Sequence, residues 1–448
     1  MPSPRDILDR LLERLDLSQA EAEETLTHLT SPQGSPAMAG ALLAALRSKG
    51  VVADEVRGFA YAMRRLARRP PIPAGVRGID IVGTGGDASG SLNISTGTAL
   101  LTAACGVPVL KHGNRSISSR AGSADVLEAL GLQVPLDEQG VADCLAAANF
   151  TFLFAPHYHP AMKAVGPVRA ALGVRTIFNI LGPLTNPAEP PFHLIGAFSL
   201  EVAKLIAQTL AGMPIERTFV VHGAEGWDEP TPIGPFTVFD VRPGRVEVAM
   251  RGADDYGFAA CTAANLAGGD AQHNAAALRA VLEGEDQGPH RHCLLLGASL
   301  ALEVTGKVRG PREGVECAAA AIDSGAGRRV LAAIAAVGAD AARRAAAPSA
   351  GAGLPEAPSQ GAAGVGAREA LAQGAARVGA REALAQGAAR VGASEAPAQG
   401  AAGSGARDAL TQSAAGSGAR DVPTQGAAGG ASRGAPAQGP ASKVGGGR

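Results

Sequence analysis

Aromatic residues make up only 3% of the 448 positions, with one tryptophan, and none follows Phe258. Any core built from residues 258–340 must therefore be aliphatic. Long apolar runs are missing too: no stretch approaches the roughly 20 residues that a spanning helix needs. The opening segment MPSPRDILDRLLERLDL is charged throughout and carries no apolar h-region, so no secretory leader is expected. Cysteine is scarce and unpaired in pattern: Cys105, Cys144, Cys261, Cys293 and Cys317 are odd in number and include no CxxC. That excludes a disulfide framework and fits small buried thiols in a reducing, cytoplasmic setting. Excess charge is absent as well. A formal net charge of -1 gives no broad attraction to nucleic acid or to a membrane surface, so neither is expected as a partner.

What is present is a hydrophobic fraction of 46%, enough for a sizeable core. From Ala345 onward the composition is almost all Ala, Gly, Pro, Arg, Ser and Gln, and a unit of near thirteen residues recurs, clearest as GAREALAQGAARV at Gly366 and Gly379. Without large apolar residues such a tail cannot offset its ordering entropy, so residues 346–448 are expected to be disordered, with transient helix at most around Arg368–Gln373. A weakly basic tether for a partner is the alternative there.

The remainder divides at about residue 70. Ile7, Leu8, Leu11, Leu12 and Leu15 recur at helical spacing, Ser18 and Glu21 form a capping box, and Ser35-Pro36 starts a helix carrying Leu42, Leu43 and Leu46. A fourth helix over about 54–68 runs into the breaker Arg69-Pro-Pro-Ile-Pro73. The expected organisation is a small all-helical domain over 1–70 and a larger α/β domain over 71–345 with a mainly parallel central sheet. Its strands are expected at Ile79–Val82, Val107–Leu110, Phe150–Phe154, His193–Ala197 and Phe219–His222. Helices are expected at 199–211, 275–282 and 292–304. In such sheets ligands bind beyond the carboxyl ends of the strands.

Two polar loops stand at such ends. Gly83-Thr-Gly-Gly-Asp87 allows positive φ and close backbone approach, and Asn93, Ser95 and Thr96 precede the apolar run 99–104, so amides, hydroxyls and a helix N-terminus can converge on an anion. Ser95 or Thr96 reads equally as a plain N-cap. After the second strand come Lys111, a point charge suited to phosphate, then His112, Gly113, Asn114, Arg115, Ser118, Ser119 and Ser123, with Ser123 placed to cap a helix over 125–130. Arg115 and Arg120 read also as solvated charges. Asp228 and Glu229 follow the fifth strand; adjacent carboxylates there suit a hard cation or are merely solvated. His157 with His159, and His290 with His292, lack an evident third metal ligand.

The motifs GTGGD, NISTG, KHGNRSISSRAGSADVLEALG, FAPHYHPAMK, PVRAALGVRTIFNILGPLTNP and WDE, in this order from about Ile7 to about Asp340, resemble anthranilate phosphoribosyltransferase. The resemblance implies a nucleoside phosphorylase/phosphoribosyltransferase-like fold, a homodimer formed through the helical unit, and Mg²⁺, two ions per subunit. It places 5-phosphoribosyl 1-diphosphate (PRPP) on Gly83, Gly85, Gly86, Asp87, Asn93, Ser95, Thr96, Lys111 and Ser123. Anthranilate falls to Gly83, His112, Asn114, His159 and Arg169, and the metal to Ser95, Asp228 and Glu229. Gly182-Pro-Leu-Thr-Asn-Pro187 would shape the substrate tunnel. Departures from the family pattern are Gly297, where an Asn is usual, and Trp227 and Pro230 beside the acidic pair. Loss of diphosphate leaves an oxocarbenium-like ribose, so catalysis needs leaving-group stabilisation more than a strong base; His112 is possible as the proton acceptor. A pyrimidine nucleoside phosphorylase and a non-catalytic nucleic-acid-binding relative are the rival readings. KHGN, the retained acceptor-side residues and the near-neutral charge argue against them.

Overall fold

The computed structural model describes residues 2–31, 33–116 and 120–346. The repeat tail, Ser118 and Ser119 lie outside the described residues. Four helices come first: α1 (Pro4–Leu12), α2 (Gln19–Thr30), α3 (Pro36–Lys49) and α4 (Ala53–Arg65). Their limits follow from local chemistry. Ser18 Oγ accepts from the Glu21 amide while the Glu21 carboxylate accepts from the Ser18 amide at 2.9 Å, closing the expected capping box. Gly50, at φ +88°, ends α3.

An α/β succession follows: β1 (Ile79–Gly83), α5 (Ile94–Ala104), β2 (Val109–Gly113), α6 (Ser123–Ala129), α7 (Glu138–Ala148), β3 (Phe150–Phe154), α8 (Ala155–Tyr158), α9 (Met162–Leu172), α10 (Phe178–Leu181), β4 (Phe192–Gly196), α11 (Leu200–Ala211) and β5 (Arg217–His222). Then come β6 (Phe236–Arg242), β7 (Arg245–Arg251), α12 (Ala253–Tyr256), α13 (Ala271–Leu282), α14 (Pro289–Val304), α15 (Pro311–Asp323) and α16 (Ala326–Ala346). The sheet runs β3-β2-β1-β4-β5-β6-β7, parallel through β5 and antiparallel at β6 and β7.

Two expectations need correction. The β6–β7 hairpin is absent from the expected strands, although FTVFDV and VEVAM alternate around Pro243-Gly244; Gly244 takes φ +70° in the turn. The second strand begins two positions later than expected, because Val109, not Val107, pairs with Phe150 of β3. Lys111, His112 and Gly113 thereby lie within β2 rather than in the loop after it.

Each face of the sheet has its own core. Ile79 and Ile81 of β1 join Leu100 and Leu101 of α5, Leu127 of α6 and Leu294–Leu296 of α14 in one apolar cluster. On the other face α1–α4 share a cluster with Val165 of α9, Phe178 of α10, Ile206 of α11 and Val220 of β5. The N-terminal helices are thus completed by middle-chain helices and packed onto the sheet. At about 1.5–3 kcal/mol per fully buried large aliphatic side chain, this burial is what holds the α9–α10 segment over the strand ends. Among the described residues no helix is long and apolar enough to cross a membrane.

Candidate active site

The strand order reverses at β1, whose neighbours are β2 on one side and β4 on the other. In sheets of this kind the ligand crevice lies at that switch point, here beyond Gly83 and Gly196. Asp228 fills its floor. A Cβ on Gly83 would lie 2.4 Å from Asp228 Oδ2, and one on Gly196 would lie 1.5 Å from the Asp228 carbonyl oxygen, so both strands must end in glycine. The acidic pair is anchored from behind by Trp227, which is 4% exposed within the core. Pro230 supports the same turn, its carbonyl meeting the Cys293 thiol at 3.9 Å. The third departure has a packing reason: a Cβ on Gly297 would sit 2.5 Å from Thr98 Oγ1, so α14 lies against α5 only without a side chain there.

Gly85 and Gly86 adopt φ +68° and +77°, turning loop amides toward the crevice. The Gly85 amide donates to Asp228 Oδ2 at 2.5 Å, and the Ser95 amide, at the start of α5, donates to Glu229 Oε1 at 3.0 Å. The Asp228 amide donates to Asp87 Oδ2 at 3.3 Å. Lys111 is buried, its ammonium donating to the Ile81 carbonyl and to Ser95 Oγ, the latter at 3.3 Å. Burial, then the neighbouring Asp87 carboxylate, pushes Asp228 up to about 7. Burial and Asp228 hold Glu229 well above the usual carboxylate range, and burial lowers Lys111. Among the described residues no group of three or more His, Cys, Asp or Glu side chains is arranged to hold a metal by itself. Carboxylates few in number, crowded and reluctant to ionise are the donor set for a hard cation that completes its shell with waters and phosphate oxygens, as Mg²⁺ does.

Asn93 is the N-cap residue of α5, and neither Ser95 nor Thr96 caps it. Its amide nitrogen donates to the Ala121 carbonyl at 3.1 Å, while its oxygen accepts from Asn274 of α13 at 2.7 Å. Thr96 is fully buried. Ser123 does not cap α6, whose N-cap is Gly122; its hydroxyl donates to the Asn114 carbonyl at 3.2 Å. Arg115 is ion-paired to Asp125 and Glu128 of α6, at 2.8 and 2.6 Å, and Arg120 is exposed.

The other wall is less charged. His112 and His159 pack edge to face with centroids 5.1 Å apart, and burial pushes their imidazoles down to about 3 and about 4. Both are neutral near pH 7. His112 Nδ1 lies 3.2 Å from the Gly182 carbonyl, so that nitrogen carries the proton, and its buried Nε2 has no hydrogen-bond partner among the described residues. Asn114, at the end of β2, is exposed, its side-chain oxygen accepting from the Arg115 amide at 2.8 Å. Arg169 is half-buried, its guanidinium 5.2 Å over the Phe178 ring and without a hydrogen bond or ion pair to a described residue. The two histidines are in direct contact, and no hydrogen bond among the described residues joins Arg169 to His112, His159 or Asn114. His157 meets Tyr158 edge to face at 5.0 Å, His290 meets Asp286 at 3.3 Å, and His292 stacks on Phe258 at 4.7 Å.

Beneath this wall lies a network that the motifs do not announce. The buried Asp80 of β1 accepts from the His112 amide at 3.1 Å and from the Asn186 side-chain amide at 2.9 Å, and Asn186 also donates to the Leu110 carbonyl at 2.7 Å. The Gly182–Pro187 turn is therefore pinned to β1 and β2 and carries the carbonyl that orients His112.

A family model described as "Glycosyl transferase family, helical bundle domain" matches residues 5–67, and one described as "Glycosyl transferase family, a/b domain" matches residues 76–328. The chain is 46% identical over 337 residues to the anthranilate phosphoribosyltransferase of Methylobacterium sp. (strain 4-46), covering 75% of this chain and 99% of the relative. The chain belongs to the anthranilate phosphoribosyltransferase family. The Rubrobacter xylanophilus enzyme of that name is 46% identical over 310 residues, covering 69% of this chain and 90% of the relative. The crystal structure of the Thermus thermophilus anthranilate phosphoribosyltransferase superposes with TM-score 0.70 at 39% identity, covering 75% of this chain and 99% of that one. The Saccharomyces cerevisiae enzyme in complex with PRPP and Mg superposes with TM-score 0.65 at 27% identity, covering 75% and 94% of the two chains.

Proposed function

We propose that the chain transfers the phosphoribosyl group of PRPP to the amine of anthranilate, giving N-(5-phosphoribosyl)anthranilate and diphosphate, in tryptophan biosynthesis. The observation that carries this reading is the pairing of the Gly85 and Ser95 amides with Asp228 and Glu229 across the switch-point crevice. Two anion-binding amides and two reluctant carboxylates satisfy each other there, and a diphosphate with its cation would supply each with a better partner.

Asp228, Glu229 and the Ser95 hydroxyl would hold Mg²⁺, two ions per subunit. When bound, Mg²⁺ neutralises charge on the departing diphosphate. The freed amides of Gly85 and Ser95, with Gly83, Gly86, Asp87, Asn93, Thr96, Lys111 and Ser123, line the PRPP side; Lys111 adds a buried positive charge where leaving-group charge grows. Gly83, His112, Asn114, His159 and Arg169 form the anthranilate side, the free guanidinium taking the carboxylate through charge-assisted hydrogen bonds. His112, pushed down to about 3, is a weak base, so the amine is oriented rather than deprotonated in advance of attack.

The same reading includes a helical domain over 1–70, a catalytic domain over 71–345, a cytoplasmic location and a homodimer. Leu12 and Leu15, 66% and 47% exposed on the helical unit, are apolar surface that a dimer would cover. Purified protein given Mg²⁺ and PRPP should consume anthranilate and release diphosphate in equal amounts; no turnover would sink the proposal.

A further inference from the structure

Arg175 lies in the strap of residues 173–177 that joins α9 to α10, with Arg169 just before the strap and Phe178 just after it. An exposed arginine ordinarily leaves its head in water. This one does not. Its guanidinium carbon sits 4.3 Å over the Phe198 ring, and its Nη2 donates to the Gly86 carbonyl at 2.7 Å. The Phe198 amide in turn donates to Thr84 Oγ1 at 3.2 Å, so the aromatic platform is tied to the same glycine loop. The Arg175 carbonyl accepts from Arg47 of α3 at 2.5 Å, which fixes the strap from the helical side.

The contact matters because of what the loop must do. Successive residues at φ +68° and +77° can present amides to an anion, yet glycines in that region move easily, and a Gly86 carbonyl turned into the crevice would repel the ligand that the amides attract. A hydrogen bond from a cation to that carbonyl opposes the turn. We propose that Arg175 is a positioning residue for the diphosphate donor, holding the Gly86 carbonyl out of the anion site so that the loop amides stay available. The inference rests on the phosphoribosyl-transfer reading, and it links the donor loop to the strap between the helices that carry Arg169 and Phe178.

The test compares Arg175→Ala and Arg175→Lys with the unaltered full-length protein. Steady-state kinetics with both substrates, calorimetric binding of inorganic diphosphate with Mg²⁺, and thermal melting are measured together. In Arg175→Ala the KM for PRPP and the Kd for diphosphate should each rise about tenfold, the weight of one charge-assisted hydrogen bond, while the KM for anthranilate stays within about twofold and the Tm is unchanged. Arg175→Lys, whose ammonium can still donate to the carbonyl without the planar stacking face, should fall between the two. Wild-type PRPP KM and diphosphate affinity in Arg175→Ala would overturn the proposal. So would equal rises in the KM of both substrates, or Arg175→Lys no better than Arg175→Ala. Unaltered protein that binds diphosphate but turns over no anthranilate counts against the transfer reading instead, and diphosphate binding still decides the role of Arg175.

Discussion

The two walls of the crevice meet their electrostatic demands in opposite ways. On the donor side every strong group already has a partner in the chain: the Gly85 and Ser95 amides take Asp228 and Glu229, and Lys111 takes the Ile81 carbonyl and the Ser95 hydroxyl. On the acceptor side His112 Nε2 and the Arg169 guanidinium have no hydrogen-bond partner among the described residues. Buried carboxylates left unpaired would cost several kcal/mol, so a wall that presents them is partnered within the chain. A neutral imidazole and a half-exposed guanidinium cost less to leave waiting. On the proposed assignment, donor binding would be an exchange of partners and acceptor binding the filling of vacant ones.

The largest expected effect comes from removing the donor wall's own partners. Asp228→Asn with Glu229→Gln should lower kcat/KM by about a thousandfold or more, since it removes both metal-side carboxylates at once; a loss within tenfold would break the comparison. Next comes Arg169→Ala, expected to raise the anthranilate KM about 10–100-fold with the PRPP KM within about twofold. Equal rises in both would erase the division into two walls.

The smallest effect is read in stability against pH without Mg²⁺. Asp228, raised to about 7 from an ordinary value of about 3.9, favours folding fully below about 3.9, and that contribution is lost progressively as pH rises from there to about 7. His112 and His159 act in the opposite sense. Held at about 3 and about 4, below the ordinary value of about 6.5, they contribute above that pH and lose their contribution as it falls. Buried His193, at about 3, adds to the histidine side, and Asp80, at about 6, to the carboxylate side. Melting temperature should therefore peak near pH 6.5 and fall above it; the Asp228 share of that fall, about a degree, is complete by about pH 7, Glu229 extends the fall beyond, and Asp228→Asn should remove the Asp228 share. An alkaline limb unchanged in that variant would show that the donor carboxylates do not govern it.

Much of the donor wall was legible because its pieces are local. GTGGD announces a backbone that can take positive φ, and Ser18, Ser35 and Gly50 mark helix ends through contacts only a few residues long. Where a reading required register, it slipped. Lys111 belongs to β2 because Val109 pairs with Phe150, a choice made by the neighbouring strand, and Ser123 serves Asn114 rather than a helix cap. Asp80 and Asn274 carry no local signal at all: a buried aspartate inside a strand reads as a flaw in an apolar run until Asn186, 106 residues away, is seen to meet it.

By itself the sequence determined which groups the crevice could contain: glycines for close amides, a lysine and two carboxylates for charge, two histidines and an arginine for the acceptor. The tertiary structure alone decided that Gly85 meets Asp228 across 143 residues and Ser95 meets Glu229 across 134. The physical reason is that parallel strands exchange hydrogen bonds with partners chosen by sheet order, and the reversal of that order at β1 is a property of the whole chain's crossovers.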